Sequence, residues 1–245
     1  MSQPGYAMLE PMSNSIALVT GANTGIGKEI ARQLADGGLT VYVGSRDAGR
    51  GQQAADEIGG DSRLLVLDVT DQASIAAAAA RVESLDILVN NAGIMVDSAS
   101  PPEADLDSFR RTYETNLFGV LAVTNAFLPA LRRSSGPRIV NISSGTGSLG
   151  WSTEGRFSAG TGAAYRSSKT ALNAVTLFYA QALADEGFKV NAMAPGLRRT
   201  GLNARAAAAE GDPAEAAEGA VRLALLGDDG PTGEFVSWDL TPVPW

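Results

Sequence analysis

The sequence contains no cysteine and no histidine in its 245 residues. Without these side chains the chain can form no disulfide, no thiolate or imidazole metal site, and no catalytic pair of serine or cysteine with histidine. Acid–base chemistry must therefore use tyrosine, lysine, aspartate or glutamate. We expect no metal site.

Basic residues are few, since 19 Lys and Arg stand against 27 Asp and Glu, which gives a net charge of −8. This charge disfavours a nucleic-acid partner and binding to an anionic membrane. Residues 1–14 lack the basic start and the long apolar run of a signal peptide or membrane anchor, so we interpret them as a flexible tail of a cytoplasmic protein. Because 44% of the residues are hydrophobic, we expect a globular protein with a sizeable core.

A glycine-rich turn follows the first predicted strand, which covers residues 15–20. The run GANTGIG at 21–27 leads into apolar residues that recur at helical spacing. Because glycine has no Cβ, such a turn can approach a pyrophosphate, whose charge meets the free N–H groups at the start of the helix. The spacing differs from the Gly-x-Gly-x-x-Gly fingerprint, so a glycine turn without a ligand is the alternative.

The second predicted strand, at 40–44, ends at Ser45-Arg46-Asp47. In a dinucleotide-binding fold, an arginine at this position binds the 2′-phosphate of NADP, whereas an acidic residue binds the 2′-hydroxyl of NAD. Arg46 is thus a candidate phosphate ligand, and an ordinary surface arginine is the alternative. We interpret Asp47 as the N-cap of a helix over 48–58.

Strands continue to alternate with helices along the rest of the chain. This order predicts a single α/β, doubly wound domain over 15–245, with a mainly parallel sheet of about seven strands. Ligands bind at the carboxyl ends of the strands in such a sheet. The further strands are predicted at 64–67, 85–89, 138–142, 189–193 and 233–238, and the further helices at 71–82, 106–131, 165–186 and within 203–227.

Tyr165 and Lys169 are four residues apart on a predicted helix and therefore share one face. A tyrosine phenol has a pKa of about 10, and a neighbouring ammonium group stabilises its phenolate, which suits a proton donor for a carbonyl. A chance pair on an exposed helix is the alternative. Asn116 lies among apolar residues, where its amide must find hydrogen-bond partners or destabilise the core.

These motifs resemble those of the short-chain dehydrogenase/reductase family, in its compact form and its carbonyl-reductase-like branch. The resemblance spans about residues 15–240. The motifs occur in the order of the family and are Thr20-Gly21-x-x-x-Gly25-Ile26-Gly27, Asp68, Asn90-Asn91-Ala92-Gly93, Asn116, Ser144, Tyr165-x-x-x-Lys169 and Pro195-Gly196.

The resemblance implies a Rossmann-type fold that binds NAD(P), and four catalytic residues. Tyr165 would be the general acid in reduction and the general base in oxidation, and Ser144 would hold the substrate oxygen. Lys169 would bind the nicotinamide ribose and lower the pKa of Tyr165, while Asn116 would support a water that links Lys169 to solvent. These roles agree with a chemistry in which the cofactor supplies hydride and the protein supplies a positioned proton.

The resemblance also implies a set of cofactor-binding residues. Asp68 is expected at the adenine, 91–93 along the ribose, and the residues from Pro195 onwards around the nicotinamide. Thr24 stands where many NADP-preferring members carry a basic residue, which leaves Arg46 as the main support for NADP(H) over NAD(H). The full set is Gly21, Asn23, Thr24, Gly25, Ile26, Gly27, Arg46, Asp68, Val69, Asn91, Ala92, Gly93, Tyr165, Lys169, Pro195, Gly196 and Thr200.

Tyr165 follows Ser144 by 21 residues, a longer separation than is usual in compact members. We therefore predict a lengthened substrate loop at 145–164, together with a substrate-side segment at 197–226. The loop either shapes the substrate pocket or covers a surface that other members use to form oligomers, so a homo-oligomer is possible. The candidates for apolar pocket residues, with ordinary packing as the alternative, are Trp151, Phe157, Leu197 and Leu202.

The predicted function is an NADPH-dependent oxidoreductase that reduces a small-molecule ketone or aldehyde, with Tyr165 as proton donor. One alternative is NAD-linked oxidation of a secondary alcohol. Another is a sensor that binds NAD(P) without catalysis, which the fold permits. A sensor needs no proton relay, so the set of Asn116, Ser144, Tyr165 and Lys169 favours an enzyme acting on CH–OH or C=O groups.

Overall fold

The computed structural model describes residues 15–157 and 159–245, so the predicted tail at 1–14 lies outside the described residues. Seven strands form one sheet, as the alternating pattern predicts. The strands are β1 (Ile16–Thr20), β2 (Thr40–Ser45), β3 (Ser62–Val66), β4 (Ile87–Asn90), β5 (Arg138–Ile142), β6 (Lys189–Ala194) and β7 (Phe235–Ser237).

All neighbouring strands pair in parallel, in the order β3-β2-β1-β4-β5-β6-β7. The chain starts in the middle of the sheet at β1, winds outwards to β3, and then returns to β4 and winds towards the other edge. This order is that of a doubly wound Rossmann-type sheet. The predicted fold class is confirmed, with the sheet wholly rather than mainly parallel.

Helices cover both faces of the sheet. The first, second and ninth helices pack on one face, and the third, fifth and seventh pack on the other. The helices are α1 (Gly25–Asp36), α2 (Ala48–Ile58), α3 (Gln72–Ala79), α4 (Leu106–Tyr113), α5 (Gly119–Leu131), α6 (Leu149–Thr153), α7 (Ala163–Ala182), α8 (Ala204–Ala207) and α9 (Pro213–Ala224).

The strands alternate their side chains between these two layers. In β1, Ala17 and Val19 pack towards α1, α2 and α9, whereas Leu18 packs on the opposite side with α3, α5 and α7. The same alternation separates Ile139 from Val140 in β5. Because successive residues of a strand point to opposite faces, both faces of the central strands are apolar and buried.

Two predicted segments differ in detail. The helix expected over 106–131 is interrupted at Glu114–Phe118 by a π-helical turn, which separates α4 from α5. The predicted loop at 145–164 contains a 3-10 turn at Gly145–Gly147 and the short helix α6. Neither feature has a clear signature in the apolar periodicity, because both are single turns.

A chain of buried polar side chains ties the sheet to the helices α5 and α7. The amide of Asn90 donates to Thr124 Oγ1 (3.0 Å) and to Asn141 Oδ1 (2.9 Å). Asn141 in turn donates to Thr176 Oγ1 of α7 (2.9 Å). Since a buried polar group is costly without its partner, these bonds favour one register of α7 on the sheet.

We expect Gly219→Ala to lower the free energy of unfolding by about 1–3 kcal/mol. A Cβ on Gly219 of α9 would overlap the carbonyl oxygen of Trp238, so the chain after β7 would have to move away from the helix. Urea unfolding followed by circular dichroism measures the change.

The matched control is Gly49→Ala in α2, where an added Cβ is 3.5 Å from its nearest neighbour. The free energy of unfolding of the Gly49→Ala protein should equal that of the wild type or exceed it by up to about 1 kcal/mol. Equal stability of the Gly219→Ala protein and the wild type would contradict the close contact between α9 and Trp238.

Candidate active site

A cleft of about 440 Å³ lies at the carboxyl ends of the central strands. Every predicted cofactor residue except Gly196 lines this cleft, although these residues come from distant parts of the sequence. Gly196 lies instead on the wall of a second cavity. The predicted residues are therefore brought together on one edge of the sheet.

The sequence analysis missed several residues of the cleft. Most are direct neighbours of predicted residues, whereas Arg50 lies in the first turn of α2. Arg50 follows the predicted N-cap, Asp47, by three residues, and this position near the start of a helix could have predicted it from the sequence. The missed residues are Ser45, Asp47, Arg50, Leu67, Thr70, Ile94, Thr115, Ile142, Ser143 and Gly201, while Leu202, predicted as a pocket residue, also lines the cleft.

The glycine turn is held tightly against the end of β4. Gly21 has a φ of 64°, a left-handed conformation that favours glycine. A Cβ on Gly27 would overlap the side-chain amide of Asn91, and this amide donates to the carbonyl of Thr20 at 2.9 Å. In the structure the side chain of Asn91 thus holds the turn in place.

The start of α1 is suited to an anion. Asp47 and Asp71 cap α2 and α3 by accepting hydrogen bonds from backbone N–H groups, which confirms the predicted N-cap at Asp47. The N-cap of α1, Thr24, makes no such side-chain bond. The first N–H groups of α1 therefore face the cleft without a side-chain acceptor, as a pyrophosphate requires.

Arg46 lies exposed at the end of β2 and lines the cleft. Within the part of the chain that the structure describes, no acidic side chain forms an ion pair with it. Nearby Arg50 is paired with Asp47 at 3.1 Å. The two arginines together make this end of the cleft suitable for a phosphate group.

A second cavity, of about 630 Å³, adjoins the cleft. Tyr165 lines both, as do Pro195 and Thr200. Ser144 lies on the second cavity. The four candidate pocket residues also line it, and these are Trp151, Phe157, Leu197 and Leu202.

Tyr165 and Lys169 lie in the first two turns of α7, where Lys169 is buried and Tyr165 is partly buried. Burial raises the pKa of Tyr165 to about 12, opposite in direction to the lowering by Lys169 that the family resemblance implies, and the nearby Ser144 hydroxyl opposes this increase. Burial lowers the pKa of Lys169 to about 8. The Lys169 ammonium donates to the carbonyl of Ile142 at 2.8 Å and lies 5.8 Å from the centre of the Tyr165 ring.

The two serines after β5 have different surroundings. Ser143 is buried and its hydroxyl donates to Asn173 Oδ1 of α7 at 2.5 Å. The Ser144 hydroxyl is 2.9 Å from Thr146 Oγ1 and accepts from the Thr146 N–H at 3.2 Å. Ser144 lines the second cavity together with Tyr165, whereas Ser143 lines the cleft.

Asn116 lies in the π-helical turn, and its side chain is fully bonded. Its Oδ1 accepts from the Ile94 N–H at 2.8 Å, and its Nδ2 donates to the Ile94 carbonyl at 2.9 Å and to Ser168 Oγ at 3.1 Å. The amide thus finds the partners that its apolar surroundings require. It links the segment after β4 to α7, beside Lys169.

The C-terminal residues support the wall of the second cavity. The Ser148 hydroxyl donates to the Pro244 carbonyl at 2.5 Å, and the Gly150 N–H donates to the Trp245 carbonyl at 2.9 Å. Val243 is buried with Trp151 packed against its cluster. The end of the chain therefore holds α6 beside the cavity.

Comparison with known proteins decides the family. A family model described as short chain dehydrogenase matches residues 15–211. A short-chain dehydrogenase of Penicillium roqueforti is 41% identical over 205 residues, which cover 77% of this chain and 81% of that protein. Salutaridine reductase of Papaver bracteatum is 33% identical over 293 aligned residues, covering 89% of this chain and 93% of that protein. The chain belongs to the short-chain dehydrogenase family.

A solved structure supports the same conclusion. The NADPH-bound carbonyl reductase from chicken fatty liver superposes with a TM-score of 0.84 at 29% identity, covering 96% of this chain and all of the other. This short-chain dehydrogenase is an NAD(P)-dependent oxidoreductase that acts on CH–OH or C=O groups. In the described residues, no helix has the length and apolar character needed to cross a membrane.

The lowered pKa of Lys169 predicts a pH-dependent stability for this short-chain dehydrogenase. Unfolding returns the lysine to a pKa near 10.5, so between about pH 8 and pH 10.5 the unfolded state binds more protons than the folded state. Stability relative to Lys169→Met should therefore rise with pH across this range, by up to about 3 kcal/mol. Urea unfolding at a series of pH values measures it.

Lys189→Met, at the amino end of β6, is the control for removal of a lysine. The comparison is made at pH 10 and below, where the phenol of Tyr165 stays protonated in the folded protein because its pKa is raised to about 12. A stability difference between wild type and Lys169→Met that stays constant from pH 7 to pH 10 would show that Lys169 has an ordinary pKa.

Proposed function

We propose that this protein reduces a ketone or an aldehyde with NADPH, with Tyr165 as proton donor. The observation that carries the proposal is the meeting of two cavities at Tyr165. Lys169 lies on the side of the cleft and Ser144 on the side of the second cavity. A proton donor at such a junction is in reach of groups bound on either side.

The names of the relatives support reduction. Salutaridine reductase and (-)-isopiperitenone reductase of Mentha piperita are named as reductases, and the chicken carbonyl reductase is described as NADPH-bound. Other relatives, such as (+)-neomenthol dehydrogenase of Arabidopsis thaliana, are named for the opposite direction. The same residues serve both directions, because a proton donor for a ketone is a proton acceptor for the alcohol.

The cleft fits a nicotinamide dinucleotide. The uncapped start of α1 would hold the pyrophosphate, and Arg46, with Arg50 beside it, would hold the 2′-phosphate of NADP. Asp68 would lie at the adenosine end and Lys169 at the nicotinamide ribose. When bound, the cofactor supplies the hydride.

The protein residues supply the proton and stabilise the oxygen. Tyr165 is protonated at neutral pH, since the ordinary pKa of a tyrosine is about 10, and can therefore act as the acid. Its hydroxyl would donate a proton to the substrate oxygen, while the Ser144 hydroxyl donates a hydrogen bond to the same atom. The Lys169 ammonium would stabilise the phenolate that remains. Asn116 is a positioning residue, since its contacts are with Ile94 and Ser168.

We expect Arg46→Ala to weaken NADPH binding by roughly tenfold to a hundredfold and NADH binding much less, because only NADPH carries the 2′-phosphate. Titration of the purified protein with each nucleotide, followed by nicotinamide fluorescence, measures both affinities. Arg63→Ala is the matched control, since Arg63 is exposed on β3, paired with Asp61, and outside the cleft.

Tighter binding of NADH than of NADPH by the wild type would overturn the preference for NADPH and favour NAD-linked oxidation of an alcohol. Binding of neither nucleotide would overturn the proposal as a whole. Binding of NADPH with no turnover of any ketone, aldehyde or alcohol would favour the sensor.

Tyr165→Phe should lower kcat by about 10²- to 10⁴-fold, because the proton donor is lost while the ring is kept. NADPH oxidation in the presence of a panel of ketones and aldehydes gives kcat, and nucleotide titration checks that the cofactor still binds. Tyr179→Phe is the control on the same helix, since its hydroxyl donates to Asn125 away from both cavities. An equal loss of kcat in Tyr165→Phe and Tyr179→Phe would count against Tyr165 as the acid.

A further inference from the structure

The second cavity has a strongly basic wall. Its lining includes four arginines and, among the described residues, no aspartate or glutamate. The chain as a whole is acidic, with 27 acidic residues against 19 basic ones. Glu154 and Glu215 pair with two of these arginines from behind the lining, so the wall keeps a smaller excess of positive charge, still opposite in sign to the net charge of the protein. The arginines are Arg156, Arg166, Arg198 and Arg205.

Two of these arginines have partners in the wall. The Arg156 guanidinium stacks on the Trp151 ring at 4.5 Å and is paired with Glu154 at 3.5 Å. Arg166 donates to the Thr146 carbonyl at 3.3 Å and to a second acceptor, Ser152 Oγ, at 3.0 Å. Their protein contacts orient both side chains.

Arg198 differs because its donors are not satisfied. The side chain is only 9% exposed, yet its buried Nε and Nη2 have no hydrogen-bond partner among residues 15–157 and 159–245. Glu215 Oε2 forms a salt bridge with Nη2 at 3.6 Å, which is longer than a hydrogen bond, and Nη1 makes only a long bond of 3.4 Å to the Leu197 carbonyl. These two donors have almost no surface open to the cavity, so Arg198 acts on a ligand there through its charge.

The position of Arg198 is set by its neighbours. Its guanidinium lies 4.5 Å from the centre of the Trp238 ring. A Cβ on Gly211 would come within 2.8 Å of Nη1, and one on Gly196 within 3.4 Å. These glycines leave room for the side chain at the cavity wall. Arg205 of α8 is exposed, and the structure describes no ion-pair partner for it.

We propose that the carbonyl substrate carries a carboxylate, which Arg205 binds and which the buried charge of Arg198 attracts. The planar fork of an arginine matches a carboxylate, and burial strengthens the pairing. The aromatic side chains of Trp151, Phe157 and Trp238 would hold the apolar body of the substrate. A cavity of about 630 Å³ is large enough for such a keto acid. This inference rests on the proposed reduction at Tyr165.

The test uses aryl ketones that differ only in charge. 4-Acetylbenzoate, 4-acetylphenylacetate and 3-(4-acetylphenyl)propanoate are each compared with their methyl esters, by NADPH oxidation, at low and high salt. We expect at least one acid to exceed its ester in kcat/KM by roughly tenfold or more at low salt, and Arg198→Gln to lower this ratio by about tenfold to a hundredfold. Arg198→Lys keeps the charge but not the planar fork, so its ratio of acid to ester in kcat/KM should lie between those of the wild type and Arg198→Gln. It replaces Arg198→Gln in the test if that variant does not fold.

Arg199→Gln is the matched control, because it removes the same charge from the next residue, which is exposed and outside the cavity wall. It should leave the ratio of acid to ester unchanged. Esters that equal or exceed their acids in the wild type would overturn the inference. An equal change of the ratio in Arg198→Gln and Arg199→Gln would also overturn it, since only the net charge would then matter.

Ligand binding separates this inference from the proposed function. Trp151 and Trp238 line the cavity, so their fluorescence reports binding of each acid and ester without turnover. Preferential binding of an acid with no NADPH oxidation would support the carboxylate site and overturn reductase activity on these ketones. Reduction of the esters in preference to the acids would support the reductase and overturn the carboxylate site.

Discussion

The buried ammonium group of Lys169 is the constraint on which the arrangement of the site depends. It lies where α7 crosses the end of β5, and its hydrogen bond to the Ile142 carbonyl joins helix to sheet. A buried charge requires such a partner. Burial also lowers the pKa of Lys169 to about 8. Tyr165 is one helical turn away, so the position of the phenol follows from that of the ammonium.

The surrounding polar contacts maintain this position of α7. Ser143 bonds to Asn173, Asn141 bonds to Thr176, and Asn116 bonds to Ser168, so both the end of β5 and the π-helical turn meet polar groups of the helix. Apolar contacts alone would allow small shifts of the helix along the sheet. Directional hydrogen bonds between buried groups restrict these shifts, because a displaced donor would be left unpaired.

The two sides of the site are built from different kinds of structure. The cleft is formed by the ends of β-strands and the glycine turn, whereas the second cavity is formed by α6, α8 and connecting segments. Strand ends are fixed by the sheet, so the cleft is suited to a ligand of constant shape. The cavity is formed by connecting segments, and in such folds these are where substrate selection varies. Its arginines give it a charge that the composition of the whole protein does not reveal.

The sequence by itself determined the fold and most of the cleft. Alternating strands and helices predict the parallel sheet, and Tyr165 and Lys169 share a helix face because they are four residues apart. The tertiary structure alone decided the π-helical turn around Asn116, the place of Gly196 and the basic cavity wall. Arg156 and Arg205 meet at one cavity only because loops pack over the sheet edge and the C-terminal residues hold α6 there. Periodicity records which side of a helix or strand is buried, whereas the meeting of distant loops depends on packing that no local pattern encodes.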